Sequence, residues 1–174
     1  MYIPSDDSFF IANAIKGYKG KNALEIGVGS GLLLEILLRN FETVMGTDIH
    51  LGSLIYSSRR LDKKIMMLCC DAASALNNVE FDLIVSNPPY LNSLDLTPDL
   101  AVCGGSSGVD VPIRFVNSSI DMLSCSGKFI ILLSDCADLK KFYDFLISKK
   151  LKFKQIGSKR LFFEKLLIVE ITNY

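Results

Sequence analysis

The sequence has no tryptophan, a single histidine and no apolar run long enough to span a membrane. Basic and acidic residues balance at 19 each, so no extended basic surface for a nucleic-acid backbone is expected. Five cysteines show no C-x-x-C spacing, and His50 has no companion. The N-terminus has an early proline and acids where a signal peptide has basic and apolar regions. We therefore predict no intrinsic metal site, no membrane segment and a reducing cytoplasmic location, with the cysteines as small buried hydrophobes.

What remains is the composition of a folded, core-rich chain. Of its 174 residues, 49% are apolar and 22% are charged, which is enough for one sheet with helices on both faces. The sequence contains no internal repeat, low-complexity segment or interdomain linker. We therefore predict a single domain over residues 1–174.

Apolar runs that alternate with amphipathic segments predict an α/β fold. Helices are expected from the capping residues at 5–7 to residue 15, and at 32–39, 52–61, 111–123 and 137–149. Strands are expected at 23–27, 42–48, 64–70, 81–86 and 128–133, with a closing antiparallel pair at 151–157 and 166–172.

The tetrapeptide Asn87-Pro88-Pro89-Tyr90 directly follows the apolar strand at 81–86. In open α/β sheets, ligands bind beyond the carboxyl ends of the strands. The side-chain carbonyl of Asn87 and the backbone carbonyl of Pro88 offer two acceptors for the N–H groups of an amide or amine. The ring of Tyr90 would cover the flat face of that group. This corner is predicted to be an active site for an NH2 group, with an ordinary proline turn as the alternative.

A glycine loop follows the strand at 23–27 and precedes the helix at 32–39. Gly27, Gly29 and Gly31 let a ligand approach the backbone closely, as in nucleotide-binding strand-loop-helix units. The spacing G-x-G-x-G after Glu25 differs from the dinucleotide fingerprint G-x-G-x-x-G. It favours a ligand that lacks a pyrophosphate, with a tight turn as the alternative.

Acidic residues end the next two strands. Asp48 stands where an acid bonds the ribose hydroxyls of a nucleotide, and Asp71 is placed to accept a hydrogen bond from an adenine amino group. Asp6 and Asp7 cap the first helix, or alternatively bind hydroxyl or ammonium groups. We assign no catalytic role to His50.

The strand at 64–70 is expected at an edge of the sheet. It is apolar on both faces, and such an edge is an aggregation hazard unless it is covered. Lys63 and Lys64 offer one form of protection. The other is a partner chain that adds a strand to this edge.

Together, E-I-G-V-G-S-G at 25–31, Asp48, Asp71 and N-P-P-Y at 87–90 resemble the class I S-adenosylmethionine-dependent methyltransferases. Y-I-P-S-D-D-S at 2–8 and the glycines at 104, 105 and 108 resemble, more narrowly, the HemK-like release-factor glutamine methyltransferases of the eukaryotic and archaeal branch. The resemblance covers nearly the whole chain. It implies a Rossmann-like sheet of seven mostly parallel strands with a terminal antiparallel strand, helices on both faces, and no extra N-terminal domain of the bacterial kind.

For function, the resemblance implies methyl transfer from S-adenosylmethionine to the side-chain amide nitrogen of the glutamine in the Gly-Gly-Gln motif of a class I translation release factor. A small zinc-binding activator subunit would pair with the edge strand at 64–70. Asn87, Pro88 and Tyr90 would be catalytic, and the substrate would be bound by Asn87, Pro89, Tyr90, Gly104 and Gly105. The cofactor would be bound by Tyr2, Pro4, Asp7, Ser8, Glu25, Gly27, Gly29, Gly31, Asp48, Ile49, Asp71, Ala72 and Asn87.

The chain departs from this family in the loop after N-P-P-Y. Family members commonly have a tryptophan before the paired glycines, where this chain has Val102-Cys103, and charged residues after the last glycine, where it has Val109. These differences bear on the substrate loop and not on the cofactor site.

Three alternatives stay open from the sequence. An adenine-N6 methyltransferase of DNA or RNA would use the same corner but needs a basic groove or a target-recognition domain, and neither is evident. A non-catalytic S-adenosylmethionine-binding scaffold would not need an intact N-P-P-Y. Lysine methylation of other proteins is the third alternative.

Overall fold

In the computed structural model, which describes residues 3–61, 65–92 and 102–173, seven strands form one sheet. The first five are parallel, and the last in sequence runs antiparallel to both of its neighbours. The strand order is β3-β2-β1-β4-β5-β7-β6, which confirms the predicted α/β class, the mostly parallel sheet and the edge position of the third strand. The strands are β1 (Gly20–Ile26), β2 (Phe41–Asp48), β3 (Ile65–Cys69), β4 (Phe81–Ser86), β5 (Leu123–Ser134), β6 (Lys152–Arg160) and β7 (Lys165–Thr172).

Helices cover both faces of the sheet, as expected. Side chains alternate between faces along a strand, so Leu83 and Val85 of β4 belong to one core cluster and Ile84 to the other. The first cluster includes residues of α1, α2 and α3, and the second includes residues of α4 and α5. These helices are α1 (Asp6–Ile15), α2 (Leu32–Leu37), α3 (Leu51–Arg60), α4 (Asp110–Ser119) and α5 (Leu139–Ser148).

The boundary between α4 and β5 differs from the prediction. The helix expected at 111–123 ends at Ser119, and a 3-10 turn (Ile120–Met122) leads into β5, which begins five residues before the expected strand at 128–133. Leu123 pairs with Phe81 while Lys128 pairs with Leu83, so extra residues of β5 bulge between these two pairs. The early start of β5 therefore depends on pairing with β4, which local sequence cannot reveal.

The prediction that the cysteines are buried is wrong. Cys69, Cys125 and Cys136 are exposed, Cys70 and Cys103 are half-buried, and all five are free thiols. They lie on the edge strand, in the β5 bulge and in loops. The small, apolar character of the cysteine side chain was therefore not enough to predict burial in the core. Among the helices of the described ranges, none has the length and apolar composition needed to cross a bilayer.

Candidate functional site

A cavity of about 350 Å³ lies beyond the carboxyl ends of the parallel strands. Its wall is built by the residues that follow β1, β2, β3 and β4, and it is completed by α1, α4 and the turn between β6 and β7. Parallel strands end together at one edge of a sheet, so four separate loops converge there.

The glycine loop after β1 forms the floor of this cavity. Gly27, Gly29 and Gly31 have φ values of 81°, 51° and 79°, a left-handed region that glycine adopts without strain. The amides of Gly27 and Val28 donate to the Thr47 carbonyl at 2.8 and 3.1 Å. The loop is therefore held against the end of β2 by its own backbone.

Glu25 stabilises the loop from below. This side chain is buried, and its Oε2 accepts a hydrogen bond from the Leu34 amide at 2.8 Å. Burial raises the pKa of Glu25 well above its ordinary value, and the nearby charge of Asp48 raises that pKa further. Glu25 therefore links β1 to the first turn of α2 and so holds the two ends of the glycine loop together.

The two predicted strand-end acids are found in different surroundings. Asp48 accepts from the Gly29 amide at 2.9 Å and from the His50 amide at 2.8 Å, so each oxygen already has one backbone donor and retains further acceptor capacity. Asp71 faces Arg114 of α4, with Nε 3.4 Å from Oδ1. Both carboxylates line the cavity.

Asn87 is oriented by the N-terminal helix. Its Nδ2 donates to Asp7 Oδ2 at 3.1 Å and lies 3.4 Å from Ser8 Oγ. The other Asp7 oxygen accepts from the Ser8 amide and the Ser5 hydroxyl, both at 2.6 Å. A carboxylate can only accept hydrogen bonds, so Asp7 determines which end of the Asn87 amide it faces. The Asn87 carbonyl oxygen is left to accept hydrogen bonds from elsewhere.

Three buried side-chain oxygens have no hydrogen-bond partner within residues 3–61, 65–92 and 102–173: Thr47 Oγ1, Asn87 Oδ1 and Glu164 Oε2. All three residues line the same cavity. Buried polar atoms are almost always paired, because an unpaired one has lost its hydration without compensation. Their concentration at one site indicates a cavity suited to a polar ligand with N–H or O–H groups.

The loop at 102–110 supports the N-P-P-Y corner. Leu91 donates to the Val102 carbonyl at 3.0 Å, and the Gly104 amide donates back to the Leu91 carbonyl at 2.8 Å. A Cβ at Gly104 would lie 2.5 Å from the Gly108 carbonyl oxygen and 2.8 Å from that of Pro89. Close backbone packing therefore requires glycine at position 104.

Most of the residues predicted from the sequence meet in this cavity. Pro4, Gly31, Gly104 and Gly105 are described but do not line it, and Tyr2 lies outside the described residues. Gly31 instead begins α2 as its N-cap. The predicted residues that line the cavity are Asp7, Ser8, Glu25, Gly27, Gly29, Asp48, Ile49, Asp71, Ala72, Asn87, Pro88, Pro89 and Tyr90.

Sequence reasoning missed the cavity residues that come from α4 and from the β6–β7 turn. Arg114 and Phe115 lie on a helix whose sequence shows an ordinary amphipathic pattern, and Leu161 and Glu164 flank a turn. None of them belongs to a motif. They reach the site only because the fold packs α4 and the β6–β7 turn beside the ends of the parallel strands.

The sequence of this chain is similar to those of known methyltransferases. Residues 24–101 match a family model described as a methyltransferase domain. A Methanocaldococcus jannaschii protein, whose assignment as a protein N5-glutamine methyltransferase is itself inferred, is 28% identical over 97% of this chain and 90% of that protein. The release factor glutamine methyltransferase of Rhodospirillum rubrum is 33% identical over 60% of this chain. The chain spans only 37% of that bacterial relative.

Solved structures share the fold at lower identity. One chain of the E. cuniculi Mtq2–Trm112 complex, which methylates the translation termination factor eRF1, superposes with a TM-score of 0.82 at 22% identity and covers 99% of this chain and 98% of that one. The T. thermophilus 16S rRNA methyltransferase RsmC, solved with AdoMet and guanosine, gives a TM-score of 0.70 at 20% identity over 99% of this chain and 44% of that one. These two structural neighbours therefore act on different substrates, a protein and an RNA. The resemblance expected from the motifs is confirmed.

The raised pKa of Glu25 predicts a pH-dependent stability. A carboxyl whose pKa is higher in the folded state stabilises the fold below its unfolded pKa of about 4.3, and this contribution is lost as pH rises through the folded-state pKa. Glu25→Gln keeps an acceptor for the Leu34 amide but does not titrate. We expect the thermal midpoint to fall less between pH 5 and pH 8 in this variant than in the unmodified chain. Glu35→Gln, an exposed change on α2, is the matched control, and parallel profiles for all three proteins would contradict this role of Glu25.

Proposed function

We infer that this chain, which has the class I methyltransferase fold and is related in sequence to the protein-glutamine methyltransferases, is an S-adenosylmethionine-dependent enzyme. Its acceptor is the side-chain amide nitrogen of the glutamine in the Gly-Gly-Gln motif of a class I release factor. The observation that carries this proposal is the Asn87 side chain, whose Nδ2 is engaged by Asp7 while its buried Oδ1 has no partner among the described residues. Relatives assigned to glutamine methylation support the same acceptor.

The residues of the cavity fit S-adenosylmethionine. Asp48 retains acceptor capacity for ribose hydroxyls, and Asp71 can accept from the adenine amino group. A Cβ at Gly29 would meet no atom within 4 Å, so the loop leaves open space against which a ligand can lie. When bound, the cofactor supplies an electrophilic methyl group on a sulfonium sulfur.

The chain's own contribution is to hold the acceptor amide. The glutamine NH2 would donate one N–H to Asn87 Oδ1 and the other to the Pro88 carbonyl, which is fixed by the proline ring. The Tyr90 ring would pack on the amide plane, with its hydroxyl 3.5 Å from Asp7 Oδ2. Orientation of this kind contributes about 7–11 kcal/mol in favourable cases. Positioning and exclusion of water are therefore the main means of catalysis that we assign to the site.

A purine amine is the nearest competing acceptor, because it presents two N–H groups to the same corner. The zero net charge of the chain disfavours this choice, since nucleic-acid backbones are held by clustered lysine and arginine. A scaffold without activity would not account for an Asn87 amide held in one orientation. Glutamine is therefore the acceptor that the residues support best.

We also propose a heterodimer with a small zinc-binding activator subunit that pairs with β3, in the cytoplasm. None of the five residues of β3 is buried, although all are apolar or cysteine, and Met66 is 52% exposed. Leu51 and Ile55 on the adjoining helix α3 are also exposed. An edge strand of this kind is suited to strand addition, and the E. cuniculi relative was solved as a two-protein complex.

Methyl transfer tests the proposed function. With radiolabelled S-adenosylmethionine and a co-purified activator subunit, we expect label on a class I release factor and none on its Gly-Gly-Ala variant, because alanine offers no amide nitrogen. Equal label on both factors would reject glutamine as the acceptor. Label on RNA or DNA and none on the release factor would support the adenine alternative.

The orienting role of Asp7 gives a second prediction. Asp7→Asn replaces an obligatory acceptor with a group that has its own N–H donors, so Asn87 loses the contact that determines its orientation. We expect kcat to fall by roughly 100-fold, as for a misplaced reacting group. Asp6→Asn, which changes an exposed neighbour paired with Lys159, should retain kcat within about twofold. Equal rates for the two variants would show that Asp7 does not orient the acceptor.

The proposed partner surface is tested by a charge on β3. Met66→Lys should abolish co-purification of the activator, because a lysine on the pairing face would be desolvated without a partner charge. Ile156→Lys on β6, at the opposite edge of the sheet, is the control and should leave the complex intact. Retention of the complex by the Met66 variant, measured by gel filtration, would place the partner elsewhere.

A further inference from the structure

The turn between β6 and β7 carries two adjacent exposed aromatic side chains. Phe162 is 90% exposed and Phe163 is 87% exposed. Their ring centroids lie 4.7 Å apart with the planes at 74°, an edge-to-face pair. The pair buries almost nothing within its own chain, so it makes no appreciable contribution to the core.

The position of this turn is determined by the fold. The Leu161 amide donates to the Glu164 carbonyl at 2.8 Å, which closes the turn. Asp135, just after β5, accepts from the Lys165 amide at 2.7 Å, and its own amide donates to the Lys165 carbonyl at 3.0 Å. Lys159 forms an ion pair with Asp6 at the start of α1 at 2.6 Å. The two phenylalanines are therefore presented on an anchored hairpin.

The same turn is continuous with the active-site cavity. Leu161 and Glu164, the two residues that flank the phenylalanines, line the cavity together with Asn87. Glu164 Oε2 is one of the buried oxygens without a partner in the described ranges. One side of this four-residue turn therefore faces the cavity, while Phe162 and Phe163 on the other side face outward.

We propose that the turn at 161–164 is a docking site for the protein substrate, and this inference rests on the proposed function. Phe162 and Phe163 contact an apolar patch on the folded domain that presents the Gly-Gly-Gln loop, and Glu164 Oε2 accepts a backbone N–H from that loop. The glycines of the motif have no side chains to reach the phenylalanines, so the apolar contact comes from the neighbouring surface of the domain. Paired exposed aromatics beside a site are characteristic of protein interfaces.

Glu164 also distinguishes a polypeptide from a nucleic acid as the occupant. A carboxylate in the lining of the cavity disfavours phosphate by like-charge repulsion, whereas a backbone amide of a glycine-rich loop is a suitable donor to it. The phenylalanines alone would also accept stacked bases. The neighbouring Lys159 and Arg160 are paired with Asp6 and Asp135 at 2.6 and 3.8 Å, so the acidic side chain beside the phenylalanines favours protein.

The experiment compares an intact release factor with a short peptide that contains only its Gly-Gly-Gln loop. The double variant Phe162→Ser/Phe163→Ser should raise KM for the intact factor by about tenfold or more, with a much smaller change in kcat, because it removes docking contacts and not the acceptor site. Its effect on kcat/KM for the peptide should be smaller than on the intact factor. Glu164→Ala should lower kcat/KM for both substrates, because it contacts the loop itself.

Ile147→Ser is the matched control, because Ile147 is 63% exposed on α5 and lies outside the cavity lining. It should leave both substrates unaffected. Binding of S-adenosylhomocysteine by calorimetry verifies that each variant is folded, and the two single serine variants decide the question if the double variant fails that test.

The outcomes separate this inference from the proposed function. Failure of the unmodified enzyme to methylate the release factor overturns both. An active enzyme whose phenylalanine variants retain the original KM overturns only the docking site. Loss of self-association in those variants, detected by light scattering with KM unchanged, would assign the pair to a contact between copies of this chain and would also overturn the docking site.

Discussion

The site depends on one hydrogen bond between elements that are 80 residues apart in the sequence, from Asn87 Nδ2 to Asp7 Oδ2. It joins the first turn of α1 to the end of β4 and directs the Asn87 carbonyl away from Asp7. An unconstrained asparagine presents either its oxygen or its nitrogen, and only the oxygen accepts the N–H groups of an amide. Because the Asp7 carboxylate can only accept hydrogen bonds, it holds the Asn87 side chain in the orientation whose Nδ2 faces Asp7.

The cofactor half of the cavity relies on buried carboxylates in the same way. Glu25 accepts from the Leu34 amide of α2, and Asp48 accepts from the Gly29 amide within the glycine loop and from the His50 amide just after β2. The loop amides are held by charged or polar acceptors, and the left-handed glycines allow the chain to turn between them. A polar scaffold of this kind is already arranged before a ligand arrives, which limits the ordering that binding requires.

The two edges of the sheet differ in chemistry. At one edge, β6 is exposed along most of its length and carries Lys152, Lys154, Lys159 and Arg160, and charged residues of this type discourage pairing with another chain. At the other edge, no residue of β3 is fully buried and none within Ile65–Cys69 is charged. The contrast explains why a partner is proposed at β3. The turn between β6 and β7, which carries the exposed Phe162 and Phe163 between two residues of the cavity lining, is a separate surface that we propose for the substrate.

The sequence by itself determined the α/β class, the order of the elements and the motif residues that line the cavity, because these follow from local patterns. Apolar runs define strands, and Glu25, Asp48, Asp71 and Asn87 stand at strand ends, where a parallel sheet gathers them. Only the tertiary structure decided the start of β5, which depends on its pairing with Phe81, and the exposure of the cysteines. It alone brought Arg114 and Glu164 into the cavity and set Asp7 against Asn87. These contacts join residues far apart in the chain, and no local pattern encodes which distant side chain will lie opposite another.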